Sequence, residues 1–156
     1  MVDLPRIGVR IDLVDGLENL QYFGRGPWEN YTDRKASSLL GIFGSTVADQ
    51  YVDYVMPQEH GHHTDVRWLE LFGVGKDPLR LRVDGLPTFE FNATHYPVEA
   101  LFAAKHTTDL HPTNETILYI DALHRGLGTH SCGPDTRDSH KIYGKKFSFA
   151  YELTVP

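Results

Sequence analysis

The chain has 156 residues, 40% hydrophobic and 23% charged, which suits one ordinary globular domain and is too short for a catalytic barrel of about 250 residues. Its formal charge of −6, with the basic residues scattered, argues against a nucleic-acid partner, which needs clustered cations. No run reaches the ~18 apolar residues of a membrane helix, and a single cysteine excludes an internal disulfide. In chain order, Ile7, Val9, Ile11 and Leu13 recur at period two, which predicts a half-buried strand. Asp15-Gly16 signals a turn, and a second strand from Leu17 to Phe23 is expected to pair back on the first as a meander. Gly24 to Asn30, with two glycines and a proline, is a loop.

Short β-prone pieces follow at Ser45–Val47 and Tyr51–Val55, then alternating strands at Asp65–Phe72, Leu79–Val83 and Phe89–Ala93, the last two divided by a Gly85–Pro87 turn. Thr116–Leu123 and Phe147–Val155 complete the set, with Phe147, Phe149, Tyr151 and Leu153 on one face. Only Pro97–Lys105 reads helical, with Val98, Leu101 and Phe102 sharing a face. Strands at close spacing with one short helix predict an all-β sandwich in a single domain, residues 1–156. Met1 to Arg6 holds no apolar signal-peptide core, an absence that does not settle the compartment; the cytoplasm is expected, with the periplasm left open.

Two segments carry side chains with chemistry. Glu59-His60-Gly61-His62-His63-Thr64-Asp65 has ligand types that zinc or copper accepts, but His60, His62 and His63 lack the i, i+4 spacing of a helical zinc site. In an extended strand His60 and His62 would share one face and His63 the other. They are weak metal candidates, and a polar loop before a strand is the plainer reading. Gly126 to Asp135 is an irregular loop in which His130, Ser131, Cys132 and Asp135 lie close, without the surroundings of a cysteine hydrolase. Carboxylates paired for glycoside hydrolysis cannot be chosen among Glu18, Glu29, Asp33, Glu59, Asp65, Glu90 and Glu99 by spacing alone. Around Gly24-Arg25-Gly26-Pro27, the guanidinium is expected to meet Glu29 or Asp33, and Asp65 and Arg67, flanking Val66, are expected to pair on one strand face.

Taken together, Leu4-Pro5-Arg6-Ile7-Gly8-Val9-Arg10, Tyr22 to Tyr31 with Asp33-Arg34, Pro57 to Gly61 with Thr64 to Trp68, Phe89-Glu90-Phe91, His95-Tyr96, Ala104 to Thr107, Asp121 and Gly126 to Pro134 resemble the C-terminal small-chain domain of glycoside hydrolase family 2 β-galactosidases. The resemblance implies an antiparallel β-supersandwich like that of galactose mutarotase, of which this chain is the C-terminal half. It implies that the acid/base and nucleophile glutamates stand on a separate catalytic barrel, so that no catalytic residue is carried here. The domain's part is then to shape the pocket for a galactoside substrate with the loop His130, Ser131, Cys132 and Gly133; Cys132 stands where some relatives place a tryptophan. No cofactor is implied in this chain, with Mg or Na ions assigned to the barrel of the parent enzymes. Partners implied or expected are that barrel and a second copy of the chain paired through exposed strand edges, with no nucleic acid and no membrane. The alternative is a stand-alone carbohydrate-binding module or a mutarotase-like sugar enzyme, for which His95 with Glu90 is a loose acid–base candidate. Tyr22, Trp28 and Trp68 are aromatic rings that could stack on sugar or fill the core.

Overall fold

The computed structural model describes residues 3–76, 78–129, 133–144 and 146–155. Its elements are β1 (Arg6–Leu13), β2 (Asn19–Gly26), β3 (Leu39–Thr46), β4 (His63–Phe72), β5 (Arg80–Thr94), α1 (Val98–Ala103), β6 (Thr116–His124) and β7 (Tyr151–Thr154). All pairings are antiparallel, in the order β1-β6-β5-β4-β2-β3, with β7 also on β5. The all-β antiparallel class with one short helix is therefore the observed one. The long β5 organises the sheet: β4 lies along one edge, and the other edge is shared between β7 at Arg82–Gly85 and β6 at Glu90–Thr94.

Period-two alternation sends Phe89, Phe91 and Ala93 of β5 and Leu118 and Ile120 of β6 to one face, where Leu20, Tyr22, Val66, Leu69 and Leu71 join them in the core. The outermost strands reach the same cluster, β1 with Ile11 and Leu13 and β3 with Phe43. The sheet thus curls around its own core, burying a face that a flat layer would leave open. The opposite face of the same strands carries Glu90 and Asn92 beside Asp121 and Tyr119, and it is buried and polar.

Several expectations needed correction. The meander is absent: β1 pairs with β6, and β2 pairs with β3 and β4, because a turn reverses the chain without choosing the strand's partner. Leu39–Thr46 is a full strand where only its last residues looked β-prone, since Gly41 and Gly44 interrupt the apolar alternation. Tyr51–Val55 is not a strand; Tyr51 packs instead beside Leu101, Ala104 and Leu110. The Gly85–Pro87 segment is not a turn between strands but a bulge within β5, where Trp68 faces Asp84 while Val66 faces Phe89. On α1 only Leu101 is buried, and Phe102 is 93% exposed.

Candidate functional site

The loop that leaves β6 is fastened at both stems. Arg125 continues the strand end with its backbone N–H donating to Pro5 O at 3.0 Å, and Gly126 N–H donates to His140 O at 2.7 Å. The Arg125 side chain reaches Asp3 at 2.8 Å and, on the far stem, Asp135 at 2.9 Å. Between the stems sits Asp33, which belongs to the segment following β2. Its Oδ1 accepts from Leu127 N at 3.1 Å, and its Oδ2 accepts from Gly128 N and Thr136 Oγ1, each at 2.8 Å. Burial alone would raise the Asp33 pKa; the donations from Gly128, Thr136 and Leu127 outweigh it and hold the carboxyl below its ordinary value. Gly128 takes φ +65°, and a Cβ there would lie 2.6 Å from Thr136 N, so the tight return of the stem needs glycine.

Of the four residues expected to face substrate, Gly133 is described: its N–H donates to Thr129 O at 2.6 Å. His130, Ser131 and Cys132 lie outside the described residues. A cleft of about 360 Å³ opens beside the stems, lined by Asp33, Thr129, Asp135, Thr136, Arg137 and His140.

Beneath the loop, the polar face of β5 and β6 holds a packed cluster. His62 Nε2 lies 3.1 Å from Glu90 Oε2, which also accepts from His124 N at 2.8 Å. The His62 ring stacks on Tyr31 and tilts against His124, with centroids 5.2 and 4.6 Å apart. Burial pushes Glu90 up to about 8 and drives His62 well below its ordinary value, so both are neutral near pH 7. The weak metal candidates do not sit in one extended strand, since β4 begins only at His63 and Gly61 takes φ 74°: His63 turns to the core, 3.0 Å from Tyr22 Oη and 2.6 Å from Gln50 Oε1, while His62 faces Glu90 and His60 packs on Tyr51. Each imidazole is committed to a different neighbour. Among the described residues, no three His, Cys, Asp or Glu side chains are grouped to hold a metal ion.

Three other pairings differ from expectation. Arg25 bonds Asp65 at 2.5 Å rather than Glu29 or Asp33, and Lys35 joins the same carboxylate at 3.2 Å. Arg67 does not pair with the Asp65 side chain; it donates to the Asp65 carbonyl, because β4 breaks its alternation there and Asp65 takes φ 56°. His95 and Glu90 are not brought together: His95 sits 2.7 Å from Glu18, and Glu90 is engaged by His62. Of the candidate stacking rings, Tyr22 is core, Trp68 lies under Arg82 and Trp28 is 72% exposed.

Asn30 ties this arrangement to the sheet. Fully buried, it donates to the carbonyls of Arg25 and Trp28 at 3.0 Å and accepts from Thr64 N at 3.0 Å and Thr64 Oγ1 at 2.6 Å. The segment from Gly24 to Arg34 is therefore held against β4 by Asn30 and against the β6 loop by Asp33.

A family model described as beta galactosidase small chain matches residues 1–153. The chain belongs to this family. It is 33% identical over 150 residues to a beta-galactosidase of Staphylococcus xylosus, a match covering 96% of this chain and 15% of that protein. It is 38% identical over 134 residues to a beta-galactosidase of an Arthrobacter species, with 84% and 13% covered. The beta-galactosidase of Kluyveromyces lactis is 32% identical over 152 residues, with 97% and 14% covered. This small-chain domain thus spans 13–15% of the length of these three relatives. Sequence reasoning found the two loops of the site but not the carboxylate that joins them. Asp33 was visible as a motif member, one of seven candidate carboxylates and an expected partner of Arg25, but its partner Gly128 stands 95 residues away.

Proposed function

We propose that this chain is the C-terminal part of the small-chain domain of a β-galactosidase that hydrolyses terminal β-D-galactosides. In this reading a separate barrel makes and breaks bonds, and the loop following β6 forms one wall of the sugar pocket. The observation that carries the proposal is the fastening of both loop stems by Asp33 and Arg125, which suits a wall that must hold its shape. Substrate contact is assigned to His130, Ser131, Cys132 and Gly133, in a role of shape and contact.

The partners proposed are the galactoside, the catalytic barrel and a second copy of the chain. Mg or Na ions are assigned to the barrel, and nothing in the role given to this chain requires one. No helix among the described residues is long and apolar enough to cross a membrane. A cytoplasmic setting fits a chain with one cysteine.

The test is to incubate the chain alone with a chromogenic β-galactoside and with α-galactose. The expected result is neither chromogen release nor faster anomer exchange. Release above background would place bond-making on this chain, and rapid exchange would establish a mutarotase-like enzyme instead.

A further inference from the structure

Of the rings Tyr22, Trp28 and Trp68, only Trp28 is exposed, and it lines a cleft of about 500 Å³ beside β3 and residues 49–53, with Phe43 and Tyr51 as further aromatic walls. An exposed indole by itself is ordinary. This one is presented from a fixed backbone. Asn30 Nδ2 donates to the Trp28 carbonyl at 3.0 Å, and the adjoining Glu29 carboxylate accepts from Gly61 N at 2.7 Å, from Arg34 and from Tyr54. Tyr51 is set as firmly, its ring centre 4.9 Å from that of Tyr96 and 5.0 Å from that of His60. Two rings already held in place lose little freedom when a ligand lies on them.

The polar side of the cleft is made of acceptors. Asp49 meets Thr46 Oγ1 through its backbone N–H, and among the described residues its carboxylate has no partner. Asp53 takes only the Tyr51 hydroxyl, at the long distance of 3.5 Å. No Lys, Arg or His lines the cleft. Two open carboxylates without a cation beside them repel an anionic ligand and accept from hydroxyl groups, while the aromatic walls suit the C–H face of a ring. A pyranoside offers both surfaces at once. A simple cation is the poorer match, because carboxylates in contact with water hold one weakly. We propose that the Trp28 cleft binds a pyranoside, its ring face on Trp28 and Tyr51 and its hydroxyls donating to Asp49 and Asp53. The choice of a galactoside as that sugar rests on the reading of the chain as part of a β-galactosidase.

The 156-residue chain has two tryptophans, so a titration with methyl β-D-galactopyranoside is read at two indole N–H signals by NMR. Trp28 is expected to shift with half-saturation on the order of 10 mM, while Trp68, packed under Arg82, stays still. The amides of Gly44 and Ser45, which line the same cleft, should move with Trp28. Read at those two amides, Trp28→Ala is expected to weaken binding about tenfold, and Asp49→Ala with Asp53→Ala about fivefold. A silent Trp28 indole in the unaltered chain overturns the site, whether or not any variant folds. An equal shift with glycerol marks a general effect of polyols and overturns it too. A larger shift with methylammonium than with the galactoside reassigns the cleft to a basic side chain, and unchanged affinity in the aspartate variant removes the hydroxyl contacts; either result rejects the sugar. Failure of the galactosidase reading shows separately, as chromogen release or anomer exchange by the chain alone.

Discussion

Arg6 holds Asp121 across β1 and β6, with Nη2 2.6 Å from Oδ2 and Nε 3.2 Å from both carboxylate oxygens. The same guanidinium lies 3.9 Å from the centre of the Tyr119 ring and 3.5 Å from Glu59, so one side chain organises the edge of the buried polar face. Gly8 makes this possible: a Cβ there would sit 2.0 Å from Asp121 Oδ1.

Asp121→Asn is expected to destabilise the chain by about 3 kcal/mol, the low end for breaking a buried ion pair because the Arg6 side chain is still 18% exposed. Urea denaturation measures it. Replacing both partners, Arg6→Met with Asp121→Leu, is expected to recover part of the loss, since Glu59, which then loses its cation, is 21% exposed and still accepts from Asn92. A loss below about 1 kcal/mol for Asp121→Asn would mean that Glu59 alone can hold the guanidinium.

Glu90 predicts a pH dependence with a definite sign. Burial lifts its folded-state pKa from 4.5 to about 8, so the native chain binds a proton that the unfolded chain releases. Stability contributed by this group falls as pH rises from about 4.5 to 8. The buried His62 and His63 act oppositely but only below their unfolded value of 6.5, because both are depressed by burial. Between pH 6.5 and 8 the Glu90 effect stands alone among these three, and the melting temperature should drop across that interval. Glu90→Gln should flatten the slope; equal slopes in the two proteins would remove Glu90 as its source.

Asn30→Ala strands the carbonyl of Trp28 and the N–H of Thr64 in a buried setting and leaves the Arg25 carbonyl to His63 Nδ1, 3.1 Å away. The expected cost is about 3 kcal/mol, since an unmet buried polar group costs ~1–3 kcal/mol and water can reach some of the vacated space. Chemical denaturation with the slope held constant checks this, and a cost near that of a surface substitution would show that the segment needs no latch.

Strand β3 ends the sheet with Leu39, Leu40 and Ile42 exposed, Ile42 at 63%. Such an edge pairs readily with another strand, and self-association of the chain is expected to rise with concentration. Sedimentation should show the rise abolished by Ile42→Lys. A monomer at every concentration would reject pairing through this edge.

Period two marked the strands whose faces differ in polarity. Ile11 and Leu13 of β1, and Phe89 and Phe91 of β5, all point where their alternation directs them. It failed at β3, where Gly41 and Gly44 stand in the pattern, and inside β5, where Gly85 and Pro87 carry a bulge with the composition of a turn. The family motifs marked the segments of the site. Their joining was hidden, because Asp33 and Gly128 are 95 residues apart and Arg6 and Asp121 are 115 apart.

The sequence by itself determined an all-β chain, its family, and the two loops from which the site is built, since alternation and motif are local properties that residue order carries directly. Only the tertiary structure decided which strand lies beside which and which carboxylate answers each guanidinium. Arg25 took Asp65 in place of the nearer Glu29 or Asp33, leaving Asp33 to accept from the β6 loop. Such choices depend on which donors and acceptors become neighbours once the sheet has curled, and spacing along the chain does not encode that.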